Sequence, residues 1–268
     1  PPRDVVARFQ PGDVVPREVF LILLDNATGR GYEAVVNLTT GSVVSFEALP
    51  DRVQPPIMLD EFVECEEAVK RSPEFLAALK KRGVSDVSLV MVDPWSAGSY
   101  GVETEDDRSR RLSRALCWVR SEPNDNGYAR PVEGIVAVVD LNKMEVLRIE
   151  DFGVVPLPPQ PGNWAREYIR EVRQDVKPLE ITQKDGASFS VNGHEIAWQK
   201  WRFRYTMHPR EGLVLQTVGY EDEGRVRPIL YRAALSEMAV PYGESDRNWR
   251  WRSAFDVGPR FDPAEADA

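Results

Sequence analysis

Four prolines fall within the nine residues Val154–Gly162 (VVPLPPQPG), a run that can be neither helix nor central strand. It reads as an extended linker rising roughly 3 Å per residue if polyproline-like. The 268-residue chain is therefore divided, with one set of elements before this stretch and another after it.

Before it, Glu18–Asp25 (EVFLILLD), Tyr32–Thr39 (YEAVVNLT) and Ser42–Ala48 (SVVSFEA) are rich in β-branched and aromatic residues. Asn26–Gly31 and Thr40-Gly41 punctuate them with turn formers. They predict a three-stranded antiparallel meander, the end of a unit whose helix would lie upstream. Arg52–Pro56 closes it. Leu59, Phe62, Val63, Ala68 and Val69 then recur near helical spacing, giving one apolar face. Ser72-Pro73 fits an N-cap followed by proline at the first helical position, and Gly83 is a left-handed stop. Strands are predicted at Val87–Val92, Ser113–Arg120, Gly134–Asp140 and Glu145–Glu150. Helix followed by four antiparallel strands is a compact α+β unit.

After the prolines, Ser188–Val191, Glu195–Tyr205, Leu213–Tyr220 and Arg227–Ala233 read as further strands, the opening of a β-sandwich. Within Glu195–Tyr205, alternation places Trp201, Phe203 and Tyr205 on one face and Lys200, Arg202 and Arg204 on the other. The fold class is thus α+β: two small α+β domains followed by the opening strands of a sandwich. The boundaries are 1–55, 56–165, a linker at 166–178, the sandwich start at 179–258 and an acidic tail at 259–268.

Composition narrows the function. The net charge of −9 argues against a nucleic-acid or anionic-membrane partner, either of which needs a basic face. No apolar run approaches a membrane span, and Pro1–Gln10 is not a signal peptide, so a cytoplasmic protein is expected. The chain opens Pro1-Pro2 without Met, which leaves residues before Pro1 open. Cys65 and Cys117 fall in apolar segments and read as buried free thiols.

Catalytic hardware is sparse. His194 and His208 are the only histidines and have no metal-ligand spacing, so no metal site is expected from this chain. Nucleotide-loop and nucleophile-elbow motifs are absent. Glu103–Asp107 (ETEDD) reads as a solvated loop. Trp198, Trp201, Trp249 and Trp251 fit core and interface packing better than a stacking surface for bases or sugars. Arg250 and Arg252 have no acidic neighbour in sequence. With Trp249 and Trp251 they are expected to face a partner chain, a solvated face being the alternative.

Long ordered blocks carry a family resemblance. They are PREVFLILLDNATGRGYEAVVNLTTGSVVS (16–45), LVMVDPWSAGSYG (89–101), NGYARPVEGIVAVVDLNKMEV (126–146), KPLEITQKDGASFSVNGHEIAWQKWRFR (177–204) and HPREGLVLQTVGYEDEGRVRPILYRAALSEMAVPYG (208–243). Together they resemble the copper-containing primary amine oxidases. The resemblance implies two cystatin-like domains ahead of a β-sandwich catalytic domain. It also implies oxidative deamination of primary amines with copper and topaquinone, a carboxylate removing the proton α to the amine. In Ala254-Phe255-Asp256-Val257-Gly258, Asp256 matches that catalytic base. Ala254 occupies a variable position that here leaves the substrate path open. Tyr128 matches an aromatic position bordering the substrate channel.

Departures from the family are equally plain. The Asn-Tyr-Asp/Glu-Tyr motif that yields topaquinone, the His-x-His pair and the third copper histidine are absent, and PRFDPAEADA replaces the Glu-Tyr continuation after Gly258. The expectation is an N-terminal subunit of a split, heteromeric oxidase, in a dimer of such pairs, with copper and topaquinone on the partner chain and none on this one alone. A non-catalytic binding or regulatory module derived from an amine oxidase, or a truncated fragment of one, is the alternative.

Overall fold

The computed structural model describes residues 3–9, 12–50, 53–98, 107, 110–163, 166–169, 171–208, 211–235, 239–246 and 251–255. The chain divides into two compact units. One comprises Val14–Val172 with Glu244–Trp251, the other Pro1–Asp13, Arg173–Gly243 and Arg252–Ala268.

The first unit holds two antiparallel sheets. Strands β1 (Glu18–Asp25), β2 (Arg30–Asn37) and β3 (Ser42–Ala48) form the expected meander in the order β1-β2-β3. Asp25 closes the first turn, accepting from Ala27 N–H and Thr28 Oγ1. Tyr32 stacks on Phe46 across β2 and β3, with ring centroids 5.0 Å apart.

Next come α2 (Leu59–Arg71) and α3 (Pro73–Lys81), the chain's first helix being α1 (Arg3–Arg8). Glu61 starts α2 by accepting the Met58 N–H at 2.7 Å, and Ser72 caps α3 by accepting from Phe75 N–H at 3.3 Å. Gly83, at φ +78°, ends the helical segment as its type predicts. Strands β4 (Val90–Ser96), β5 (Leu112–Val119), β6 (Ile135–Asp140) and β7 (Glu145–Asp151) pair in that order. The expected strand at 87–92 is displaced: residues 87–89 make a 3-10 turn and β4 runs on through Pro94. Proline is tolerated there because β4 is an edge strand.

Alternation decides what each face of this sheet meets. Val90, Val92, Ala115, Cys117, Ile135, Ala137 and Val139 point to the helices and pack with Cys65, Val69, Phe75 and Leu79. The register places Asp93 beside Leu116 and Trp95 beside Arg114 on the opposite face. Two buried arginines fasten the layers. Arg111 holds Glu61 at 2.6 Å and the carbonyl of Pro56 at 2.8 Å, while Arg82 holds Asp151 and the carbonyls of Ala78, Gly134 and Gly153.

In the second unit, β8 (Phe189–Asn192), β9 (Glu195–Trp198), β10 (Trp201–His208), β11 (Gly212–Asp222) and β12 (Arg225–Ala234) form a five-stranded antiparallel sheet in the order β12-β11-β10-β9-β8. The predicted single strand Glu195–Tyr205 is instead a hairpin, with Trp198 paired to Trp201. Gln199 takes φ +54° at its turn, and neither Gln199 nor Lys200 is a residue type that announces one. β13 (Ala239–Pro241) and β14 (Ser253–Phe255) pair separately. Among the described residues no helix is long and apolar enough to cross a membrane.

Candidate functional site

The outer face of the β4–β7 sheet gathers the side chains with chemical potential. Met91, Asp93 and Trp95 alternate along β4 and face the same way as Arg114, Leu116 and Trp118 on β5, their register partners. Here the sequence closes a second core: Trp251 is 2 % exposed and packs with Leu116, Trp118 and Val136, Trp95 lying alongside. Trp251, expected to face a partner chain, is instead buried by its own. Its ring fills the face that the helices leave uncovered, and the Arg114 guanidinium lies over it at 5.4 Å.

Arg114 also pairs with Glu150 at 2.8 Å; Glu150 meets Arg148 at 3.2 Å, and Arg148 meets Asp107 at 2.9 Å. Asp107, expected in a solvated loop, is 8 % exposed within this ion-pair chain. Arg148 on β7, distant in sequence, meets this carboxylate bidentately.

Tyr128 sits on a 3-10 turn, Gly127–Ala129, whose first N–H groups are capped by Asn126; Tyr128 N–H donates to Asn126 Oδ1 at 3.2 Å. The side chain is half exposed. Its hydroxyl donates to Asp93 Oδ2 at 3.0 Å, and its ring meets the edge of Trp118 at a centroid distance of 5.2 Å. A phenol, a carboxylate and an indole thus stand together at the border of the outer face. Sequence reasoning selected Tyr128 and overlooked Asp93 and Trp118. The signal was available: period-two alternation puts residues 91, 93 and 95 on one side of a strand.

Of the other expected site residues, Ala254 and Arg252 are among those described. Ala254 lies on β14 opposite Val240. Arg252 is half-buried, its guanidinium 4.7 Å from the centroid of the Tyr242 ring. Asp256, Trp249 and Arg250 lie outside the described residues. His194 meets the edge of the Tyr205 ring, and His208 is 3.7 Å from Glu211. No group of three or more His, Cys, Asp or Glu side chains among the described residues is arranged to hold a metal ion. Two histidines do not fit a copper site of three imidazoles.

Comparison with known proteins bears on the whole chain. Residues 1–46 match the AGAO-like N2 domain, residues 60–168 the copper amine oxidase N3 domain and residues 190–261 the copper amine oxidase enzyme domain. A primary amine oxidase of Arthrobacter sp. (strain P1) is 47% identical over 247 residues, 92% of this chain and 38% of that protein. The peroxisomal copper-containing diamine oxidase 1 of Nicotiana tabacum is 42% identical over 96% of this chain and 35% of its own length. Among solved structures, a copper-containing benzylamine oxidase from Hansenula polymorpha superposes with a TM-score of 0.70 at 25% identity, covering 95% of this chain and 40% of that one. The chain thus spans less than two-fifths of the curated relatives' length. With N2, N3 and enzyme-domain matches following one another in chain order, the chain belongs to the copper amine oxidase family.

Proposed function

We propose that this chain is the N-terminal subunit of a split copper amine oxidase that deaminates primary amines oxidatively, copper and topaquinone residing on a partner chain. The observation that carries the reading is the five-stranded sheet. Its register puts Val191, Ile196 and Phe203 on the same face as Phe189, Trp198, Trp201 and Tyr220. Phe189, Trp198, Met207 and Leu213 are all at least 45 % exposed. A layer of that kind is stable only when a second sheet covers it, and among the described residues its outer strands, β12 and β8, have no further strand beside them. The partner would supply both.

In the assembled enzyme this chain's own residues would do four things. Asp256 would remove the α-proton, Ala254 would keep the approach to it open, and Tyr128 would border the channel. Arg252, with Trp249 and Arg250, would face the partner. Two buried free thiols fit a reducing compartment and support the cytoplasmic placement included in this proposal.

Co-expression with a chain carrying the Asn-Tyr-Asp/Glu-Tyr and His-x-His motifs tests the proposal. Co-purification with amine-dependent production of hydrogen peroxide is expected. A stable monomer of this chain beside an unbound partner would overturn it. The mass of the natural polypeptide separates the alternatives, because these residues alone weigh 30.3 kDa and a single longer oxidase would be far heavier. A non-catalytic module would instead be recovered alone and retain its fold.

A further inference from the structure

The proline-rich stretch does not leave the first unit as a free spacer. It folds back along the Ser121–Arg130 loop, which carries Tyr128. Arg130 Nε donates to the Pro158 carbonyl at 3.0 Å, Asn126 N–H to Asn163 Oδ1 at 2.6 Å and Asn126 Nδ2 to the Gly162 carbonyl at 3.4 Å. Asn163 also hydrogen-bonds Asp125, whose carboxylate in turn accepts from the Ser121 and Asn126 N–H groups. Gly162 is held at φ +65°, and an added Cβ would stand 3.1 Å from the Ala129 Cβ. The backbone sign favours glycine there, and any Cβ would press on Ala129 across the close approach of the two segments.

We propose that Asn163 and Gly162 are positioning residues for Tyr128, so that this strap fixes the wall past which the amine travels. The proposal rests on reading the chain as part of an amine oxidase. Tyr128 is held at three points. Its hydroxyl is bound by Asp93, its ring rests on Trp118, and its backbone is capped by Asn126. The first two contacts lie at a half-exposed side chain and leave its backbone free to shift. The third is rigid only while Asn126 itself is tied, and its N–H is shared between Asn163 Oδ1 on the strap and Asp125 Oδ1, a carboxylate that Asn163 also holds. The strap therefore selects one position of the phenol from the several its exposed side chain could adopt.

Fluorine NMR of the full chain labelled with 3-fluorotyrosine reads that position directly. Eight tyrosines are present, and Tyr128→Phe assigns the resonance. Asn163→Ala and Gly162→Ala should each shift or broaden the Tyr128 signal while leaving the other seven in place. Tyr168→Phe, which removes only the exposed contacts to Glu122 and Asn124 at 3.3 and 3.4 Å, should not. In the assembled enzyme, Asn163→Ala should raise KM roughly three- to tenfold at unchanged kcat, the pattern of a lost binding wall without lost chemistry. An unmoved Tyr128 resonance in both strap variants, or a moved one with unaltered KM, overturns the proposal. If the wild-type assembly oxidises no primary amine, the functional reading falls, and the fluorine spectra alone still decide whether the strap holds Tyr128.

Discussion

The guanidinium of Arg114 lies over the Trp251 ring, 5.4 Å from its centroid, joining the centre of the β4–β7 sheet to a residue near the end of the chain. Trp251 is buried with Leu116, Trp118 and Val136, so its truncation opens a cavity that those strand-borne side chains cannot fill. Trp251→Ala should cost roughly 3–5 kcal/mol, as for other buried tryptophans. Urea unfolding measures it, and a loss below about 1 kcal/mol would mean that the ring is dispensable to the sheet. Arg114→Met keeps the apolar stem over the ring and should cost less than Trp251→Ala.

A second prediction concerns pH. The Arg82 guanidinium, fully buried and 2.7 Å away, holds the Asp151 carboxyl well below the usual carboxylate range. The stability this pair contributes is complete above the unfolded pKa of about 3.9 and is lost as pH falls toward the lower folded value. Asp151→Ala should therefore cost roughly 2–3 kcal/mol at pH 7, below the figure for a fully buried pair because the carboxylate keeps some contact with water. The gap from wild type should shrink below pH ~4. Melting curves at pH 7 and pH 3 check this; an equal gap at both values would contradict it.

The two thiols give a third. Burial pushes Cys65 and Cys117 up to about 12. At pH 8 both should resist iodoacetamide in the folded chain and react within minutes in urea. Labelling of either under native conditions, counted by mass spectrometry, would show that the helix–sheet core opens at that point.

The fourth prediction follows from the proposed function. Asp256→Asn keeps the size and shape of the side chain but cannot accept a proton. Assembly with the partner should persist, and amine turnover should fall at least ~10²-fold. A helix- or turn-capping aspartate would instead cost about 1 kcal/mol of stability and little rate. Near wild-type oxidation by the variant in a reconstituted complex would remove Asp256 from the chemistry.

Local patterns were legible wherever a residue type dictates its own backbone. Ser72-Pro73 capped a helix and Gly83 ended one, because hydroxyl capping, a fixed proline φ and a left-handed glycine act within a few residues. Three places escaped. The turn at Gln199-Lys200 carries no turn-forming type, the extension of β4 through Pro94 depends on its being an edge strand, and the buried Asp107 is paired with Arg148 on a strand distant in sequence.

The α+β class, the meander, the helix-and-four-strand unit and the family were legible in the amino-acid order, since each rests on short-range periodicity or on ordered blocks of residues. Tertiary structure alone decided which partners those residues meet. It buried Trp251 in the first unit where sequence reasoning had turned it outward, drew Asp93 and Trp118 to Tyr128, and laid the proline stretch against the Tyr128 loop. The physical reason is that burial and hydrogen bonding between distant segments depend on which faces remain uncovered after each sheet forms. One strand's alternation fixes which way a side chain points and leaves open what will come to cover it.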